Sequence, residues 1–157
     1  MNVLPPRFIE GVHWRRLTSD ERAGSPWKYV LLRDVTFDYS PPAVATTWLL
    51  KDRDGILRGL IEPRDITVCR GYAWNGCSFS PDLELLASLP HDLLYQFSGV
   101  PGFPATITRR WADRLFGALT TTGLGWAYRL GLLVGSWVCW GAPPDGLSVQ
   151  KMEIKIR

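Results

Sequence analysis

Along the first half of the chain, apolar β-formers come in short runs separated by turn residues. Trp27 to Phe37 carries Tyr29, Val30, Leu31, Leu32, Val35 and Phe37, and reads as a strand. Thr46–Lys51 and Ile56–Ile61 flank Asp52-Arg53-Asp54-Gly55, where Asp-Gly predicts a hairpin. Asp65 to Trp74 reads as another strand, closed by a turn at Asn75-Gly76. Pro41–Pro42 and Pro63 separate these pieces, because proline cannot donate to a ladder.

From Ser80 the apolar period changes to that of a helix. Ser80-Pro81-Asp82 offers a capping hydroxyl, a proline at the first helical position and an early carboxylate. Pro90 interrupts this helix, either kinking it or starting a new one. A second helix begins near Thr106 or Thr108 and runs to about Thr121, with Ala112, Leu115, Phe116 and Leu119 on one stripe. A third is expected over Trp126 to Trp140. The tail from Val149 to Arg157 alternates apolar and charged residues, as an edge strand or a flexible end would. The prediction is a single α+β domain, N-terminal antiparallel hairpins followed by three packed helices. It is strand-rich over 1–76 and helical over 80–141, with a tail over 142–157.

Composition narrows the function classes. With 157 residues, 46% hydrophobic and 21% charged, the chain can bury a sizeable core. The 18 basic and 15 acidic residues are scattered, and no basic stripe of the kind that grips nucleic acid is readable. Three cysteines (Cys69, Cys77 and Cys139) form neither a disulfide framework nor a zinc pattern, so buried free thiols are expected. Met1 to Glu10 lacks the apolar run of a signal peptide. Leu115 to Gly141 is apolar, but Arg129 splits it into runs shorter than the roughly 18 residues a spanning helix needs, so no transmembrane segment is expected.

Candidate chemistry concentrates in Pro90-His91-Asp92-Leu93-Leu94-Tyr95. On a helix His91 and Tyr95 share a face, and Asp92 lies about 100° around. Imidazole is the natural base near neutral pH, and a carboxylate is a natural hard-metal ligand. If His91 opens a helix at Pro90, the positive helix end keeps it neutral. Asp113, at the edge of the next helix's apolar stripe, would reach His91 if the two helices pair, fixing its tautomer. The competing readings are a capping Asp92 beside a core histidine, and a surface Asp113 paired with Arg109, Arg110 or Arg114. Upstream, Gly71 to Ser80 holds a glycine-bearing turn whose backbone, with Asn75 and Ser78, could face a cation or an oxyanion. Ser78 lacks the Gly-x-Ser-x-Gly elbow of a nucleophile, and a plain sheet-to-helix turn also accounts for the glycines.

In order, these segments resemble a family of small phage and bacterial proteins known only as a domain of unknown function. Its pattern is a Gly-aromatic-x-(Asp/Asn)-Gly-x-Ser turn, then His-Asp-x-Leu-Tyr, then Ala-Asp-x-x-Phe. Here these correspond to Gly71 to Ser78, His91 to Tyr95 and Ala112 to Phe116. The resemblance implies a bacteriophage or prophage origin, hence host cytoplasm or virion. A more distant mechanistic likeness is to calcium-dependent secretory phospholipases, which carry His-Asp-x-x-Tyr on one helix and Asp on another. That likeness implies His91 as base, Asp113 as its orienting carboxylate and Tyr95 bonded to Asp113. It also implies calcium held by Asp92 and by backbone around Asn75 and Gly76. The chain departs from those lipases in its three cysteines and in the short separation of His91 and Asp113.

Two main expectations follow. One is a hydrolase-like phage protein acting on an ester or amide of lipid or cell envelope. The other is a non-enzymatic virion or tail-associated protein, with Trp residues serving contacts to other phage structural proteins. A host-directed binding protein is a third class on which the residues are silent.

Overall fold

The computed structural model describes residues 12–23, 26–75, 85–120, 140–141 and 144–152. Its strands are β1 (Trp14–Arg16), β2 (Tyr29–Leu31), β3 (Val35–Asp38), β4 (Trp48–Lys51), β5 (Leu57–Ile61), β6 (Asp65–Val68), β7 (Ala73–Trp74) and β8 (Ser148–Lys151). Helix α1 (Ser19–Ala23) is short, and α2 (Leu85–Phe97) and α3 (Arg109–Leu119) are the main ones. The fold is α+β, as expected. One antiparallel sheet runs β3-β6-β5-β4-β8 and a second runs β1-β2-β7.

The β4–β5 hairpin forms where Asp-Gly predicts it. Gly55 takes φ 75°, a left-handed conformation that costs glycine little. Asp52 Oδ1 accepts from the Asp54 and Ile56 amides at 3.0 Å each, and Asp52 Oδ2 accepts from Arg58 Nε at 2.7 Å. β8 adds to β4 with Trp48 opposite Lys151, so the described part of the tail is an edge strand.

Two long predicted strands are each broken in the structure. Trp27 to Phe37 divides into β2 and β3, and Asp65 to Trp74 into β6 and β7. The breaks face each other at a corner where the paired chains leave one sheet for the other. Arg70 N donates to Asp34 Oδ1 at 2.6 Å, Gly71 N to Leu31 O at 2.8 Å and Leu31 N to Tyr72 O at 2.9 Å. The register carries across the corner unshifted, with Tyr29 opposite Trp74 and Val35 opposite Val68. Gly71 supplies the positive φ of 81° that the bend requires.

Helix α2 lies between sheet and helix, and is buried along nearly its whole length. It approaches the sheet closely at Gly59, where an added Cβ would sit 2.6 Å from a Leu93 methyl. Trp74, fully buried, donates its indole N–H to Ser88 Oγ at 3.1 Å, which meets the polar demand of an interior tryptophan. Pro90 lies inside this helix, which continues through it to Phe97. Proline removes one helical hydrogen bond, and burial of Leu89, Pro90, Leu93 and Leu94 offsets that loss. Helix α3 is capped by Thr108, whose hydroxyl accepts from Trp111 N, and ends at Thr120. Its buried stripe is the predicted one (Ala112, Leu115, Phe116 and Leu119) with Asp113 added.

Among the described residues no helix is long and apolar enough to cross a membrane. Cys69 is a buried free thiol, with burial and nearby Asp34 pushing its pKa up to about 11. The predicted helix over 126–140 falls mainly outside the described residues, as do Cys77, Cys139, Gly76 and Ser78.

Candidate functional site

The continuity of α2 decides the setting of His91. It stands in the middle of a helix rather than in a first turn, so the argument from a positive helix end does not apply. Helical spacing places His91 and Tyr95 on one face, ring centroids 4.2 Å apart. Leu93 and Leu94 turn into the core, and α3 packs across the His91 face.

Asp113 completes the contact. His91 Nε2 lies 3.2 Å from Asp113 Oδ1, and the Tyr95 hydroxyl donates to that same oxygen at 2.6 Å. Asp113 is 8% exposed and directed inward, so the surface pairing with an arginine is not what forms. On the other side of the ring, His91 Nδ1 lies 3.4 Å from Asp92 Oδ1, near the outer limit of a hydrogen bond. The imidazole therefore sits between two carboxylates, one per nitrogen. Phe116 presents its edge to the ring at 5.3 Å, and Trp140 packs its edge against Tyr95 at 4.9 Å.

The neighbouring carboxylates act on His91 in the opposite direction to a helix N-terminus. Burial lowers the His91 pKa, but hydrogen bonds to Asp113 and Asp92, with their charges, outweigh it and raise the pKa above the ordinary value. The two carboxylates thus favour the imidazolium more than water does. Tyr72, 2% exposed, has its phenol pKa raised by burial and by the charge of Asp92, against the hydrogen bond from Gln96. Gln96 Nε2 donates to the Tyr72 hydroxyl at 2.7 Å.

Asp92 is the most accessible member of the cluster, its side chain 19% exposed against 7% for His91. Asn75 Oδ1 is a buried oxygen acceptor without a hydrogen-bond donor among the described residues. Among the described residues no three His, Cys, Asp or Glu side chains gather into a metal cluster. The oxygen donors in view, Asp92 and Asn75, fit a hard cation only if backbone carbonyls supply the remaining ligands.

The structure thus joins His91, Asp92, Tyr95 and Asp113, and leaves Asn75 at the end of β7 with an unmet acceptor. Sequence reasoning gave no site role to Tyr72, Gln96 or Trp140 around the cluster, and read Phe116 only as part of a stripe and a motif. Two had a readable signal: Gln96 is one helical turn beyond Asp92, and Phe116 is three residues beyond Asp113. The chain matches no family model, no curated protein and no solved structure.

Proposed function

We propose that this chain is a hydrolase-like protein of phage origin, in which His91 activates water against an ester or amide of lipid or cell envelope. The observation that carries this reading is the shared oxygen of Asp113, bonded both to His91 Nε2 and to the Tyr95 hydroxyl. That bond keeps the Nε2 proton on the side of α3 and leaves Nδ1 as the nitrogen that can accept a proton. The Asp92 contact at Nδ1 is long, and a water taking its place would meet the base directly. Proton transfer from that water forms an imidazolium, which the Asp113 carboxylate stabilises. Tyr95, held by Trp140, fixes the carboxylate in turn. Because the His91 pKa is raised, turnover should climb with pH beyond the ordinary histidine range, as the neutral base is populated.

Calcium belongs to this reading, with Asp92 and Asn75 as the residues that would hold it and backbone near Gly76 completing the shell. When bound it would polarise the substrate carbonyl.

A second reading rests on burial. His91 is 5% exposed and Asp113 8%, as suits a polar clamp joining α2 to α3 in a non-enzymatic virion or tail-associated protein. Thermal unfolding with calcium, magnesium or zinc, on wild type and Asp92→Asn, addresses the metal. Calcium at a hundred times its Kd stabilises by about 2.7 kcal/mol, a melting shift of roughly 5–10 °C for a chain of this size. The proposal expects a calcium-specific shift that Asp92→Asn removes, and turnover of lipid or envelope esters that His91→Gln removes. Absence of both outcomes favours the clamp.

A further inference from the structure

Away from the His91 cluster, the chain between β1 and α1 forms an open cleft of about 830 Å³, lined by Arg16, Leu17, Thr18, Ser19, Arg22 and Ala23, with Pro26 at its edge. Its charge is one-sided. No carboxylate lines it, and neither Arg16 nor Arg22 pairs with an acid among the described residues.

Of the two acids on α1, Asp20 and Glu21, neither lines the cleft, and Glu21 is held elsewhere. Glu21 takes Arg15 in a two-pronged pair, Oε1 to Nη2 at 2.6 Å and Oε2 to Nη1 at 2.7 Å. It also accepts from the Thr18 amide at 2.8 Å, while the Thr18 hydroxyl reaches Glu21 Oε2 at 3.1 Å. The Arg15 bond, followed by the Thr18 amide, pushes the Glu21 pKa down to about 2, so it stays ionised and bound to Arg15. Arg15 therefore engages both oxygens of the Glu21 carboxylate.

We propose that this cleft binds a phosphate-type dianion held between Arg16 and Arg22. Two guanidinium forks present paired N–H donors matched to tetrahedral oxyanions, and Ser19 adds a hydroxyl. Two cations without a counter-charge suit a phosphate dianion better than a single carboxylate. Leu17, Ala23 and Pro26 give one apolar wall, so a phosphate monoester of a small organic group fits the lining better than bare phosphate. The same chemistry could arrive as a free phosphate ester or as a phosphomonoester lipid headgroup.

The first test is titration of the full chain with inorganic phosphate, followed by amide chemical shifts against sodium chloride at matched ionic strength. The expected result is saturable shifts at Arg16, Ser19 and Arg22. Arg16→Gln and Arg22→Gln each weaken binding about tenfold with unchanged melting temperature. Phosphate shifts no different from chloride would overturn the site, and so would binding that survives both substitutions. Because the shift map needs no variant, it decides the matter even if a substitution unfolds β1. Vesicles of phosphatidic acid then separate the two sources. Vesicle binding displaced by inorganic phosphate places the lipid headgroup in the cleft. Phosphate binding without vesicle binding assigns the cleft to soluble phosphate esters.

Discussion

Two aspartates anchor this structure in the same chemical way, one half-buried at a turn and one buried between helices. Asp52 at the β4–β5 turn accepts from two amides and from Arg58, with its side chain 18% exposed. Asp113 on α3 accepts from Tyr95 and faces His91, buried between two helices. Water stands ready to replace any partner Asp52 loses, whereas the partners of Asp113 have no such substitute. A lost bond at the turn is therefore nearly exchanged for solvation, while a lost bond at the cluster leaves a buried polar group unmet. The same carboxylate is a local staple in one place and a tertiary clamp in the other.

The sharpest way to break this comparison is Asp113→Ala. It strands His91 in the interior with Tyr95 unsatisfied, and should cost about 3 kcal/mol, lowering the melting temperature by roughly 6–12 °C. Removing the whole network should cost less. A triple variant with His91→Leu, Asp113→Leu and Tyr95→Phe leaves no orphaned partner within the pair, and is expected to melt above Asp113→Ala. If the triple variant melts below the single one, the clamp contributes stability by itself and the solvation argument fails.

The two sites should also fail at opposite ends of the pH scale. The His91 pKa is raised on folding, so its contribution is fully present below the unfolded value of about 6.5 and is lost as pH rises through the higher folded value. At Asp52 burial raises the pKa, but bonds from Ile56, Arg58 and Asp54 outweigh it and lower it on balance. Its contribution is present above the unfolded value and is lost as pH falls through the depressed one. Denaturant melts across pH, on wild type and on His91→Gln, should show a decline as pH rises above about 6.5 that the variant lacks. An identical decline in both would sink its assignment to His91.

How far each region was legible follows from where its cause lies. Asp52 and Gly55 work on their neighbours in sequence, so the hairpin could be read directly. The spacing of His91 and Tyr95, and the stripe holding Asp113, were legible for the same reason. Pro90 left two readings open, a kinked helix or a new one, and only the burial around Leu89 and Leu93 shows why this one continues. The corner was passed over, since β-formers resume on both sides of Arg33-Asp34 and of Arg70-Gly71 and the pairing register does not change. The upward pKa shift of His91 was not readable, because its cause, two carboxylates around one ring, is complete only when α2 and α3 pack. The pairing of Arg15 with Glu21 likewise needs β1 beside α1.

The smallest expected effect is at the turn itself. Asp52→Ala removes two amide bonds and the Arg58 pair, all at a site that water can reach. The loss should be about 1 kcal/mol, or roughly 2–4 °C in melting temperature. Asp52→Asn should recover part of it, because an amide oxygen still accepts from Asp54 and Ile56 but no longer carries charge for Arg58. Raising the salt concentration should therefore narrow the gap between wild type and Asp52→Asn, while leaving Asp113→Ala almost unchanged, because half-buried charges are screened more than buried ones. A salt effect of equal size at both sites would mean that the interior cluster is wetter than its burial indicates. The admission of water past Asp92, which the hydrolase reading requires, would then be an equilibrium property of the folded chain.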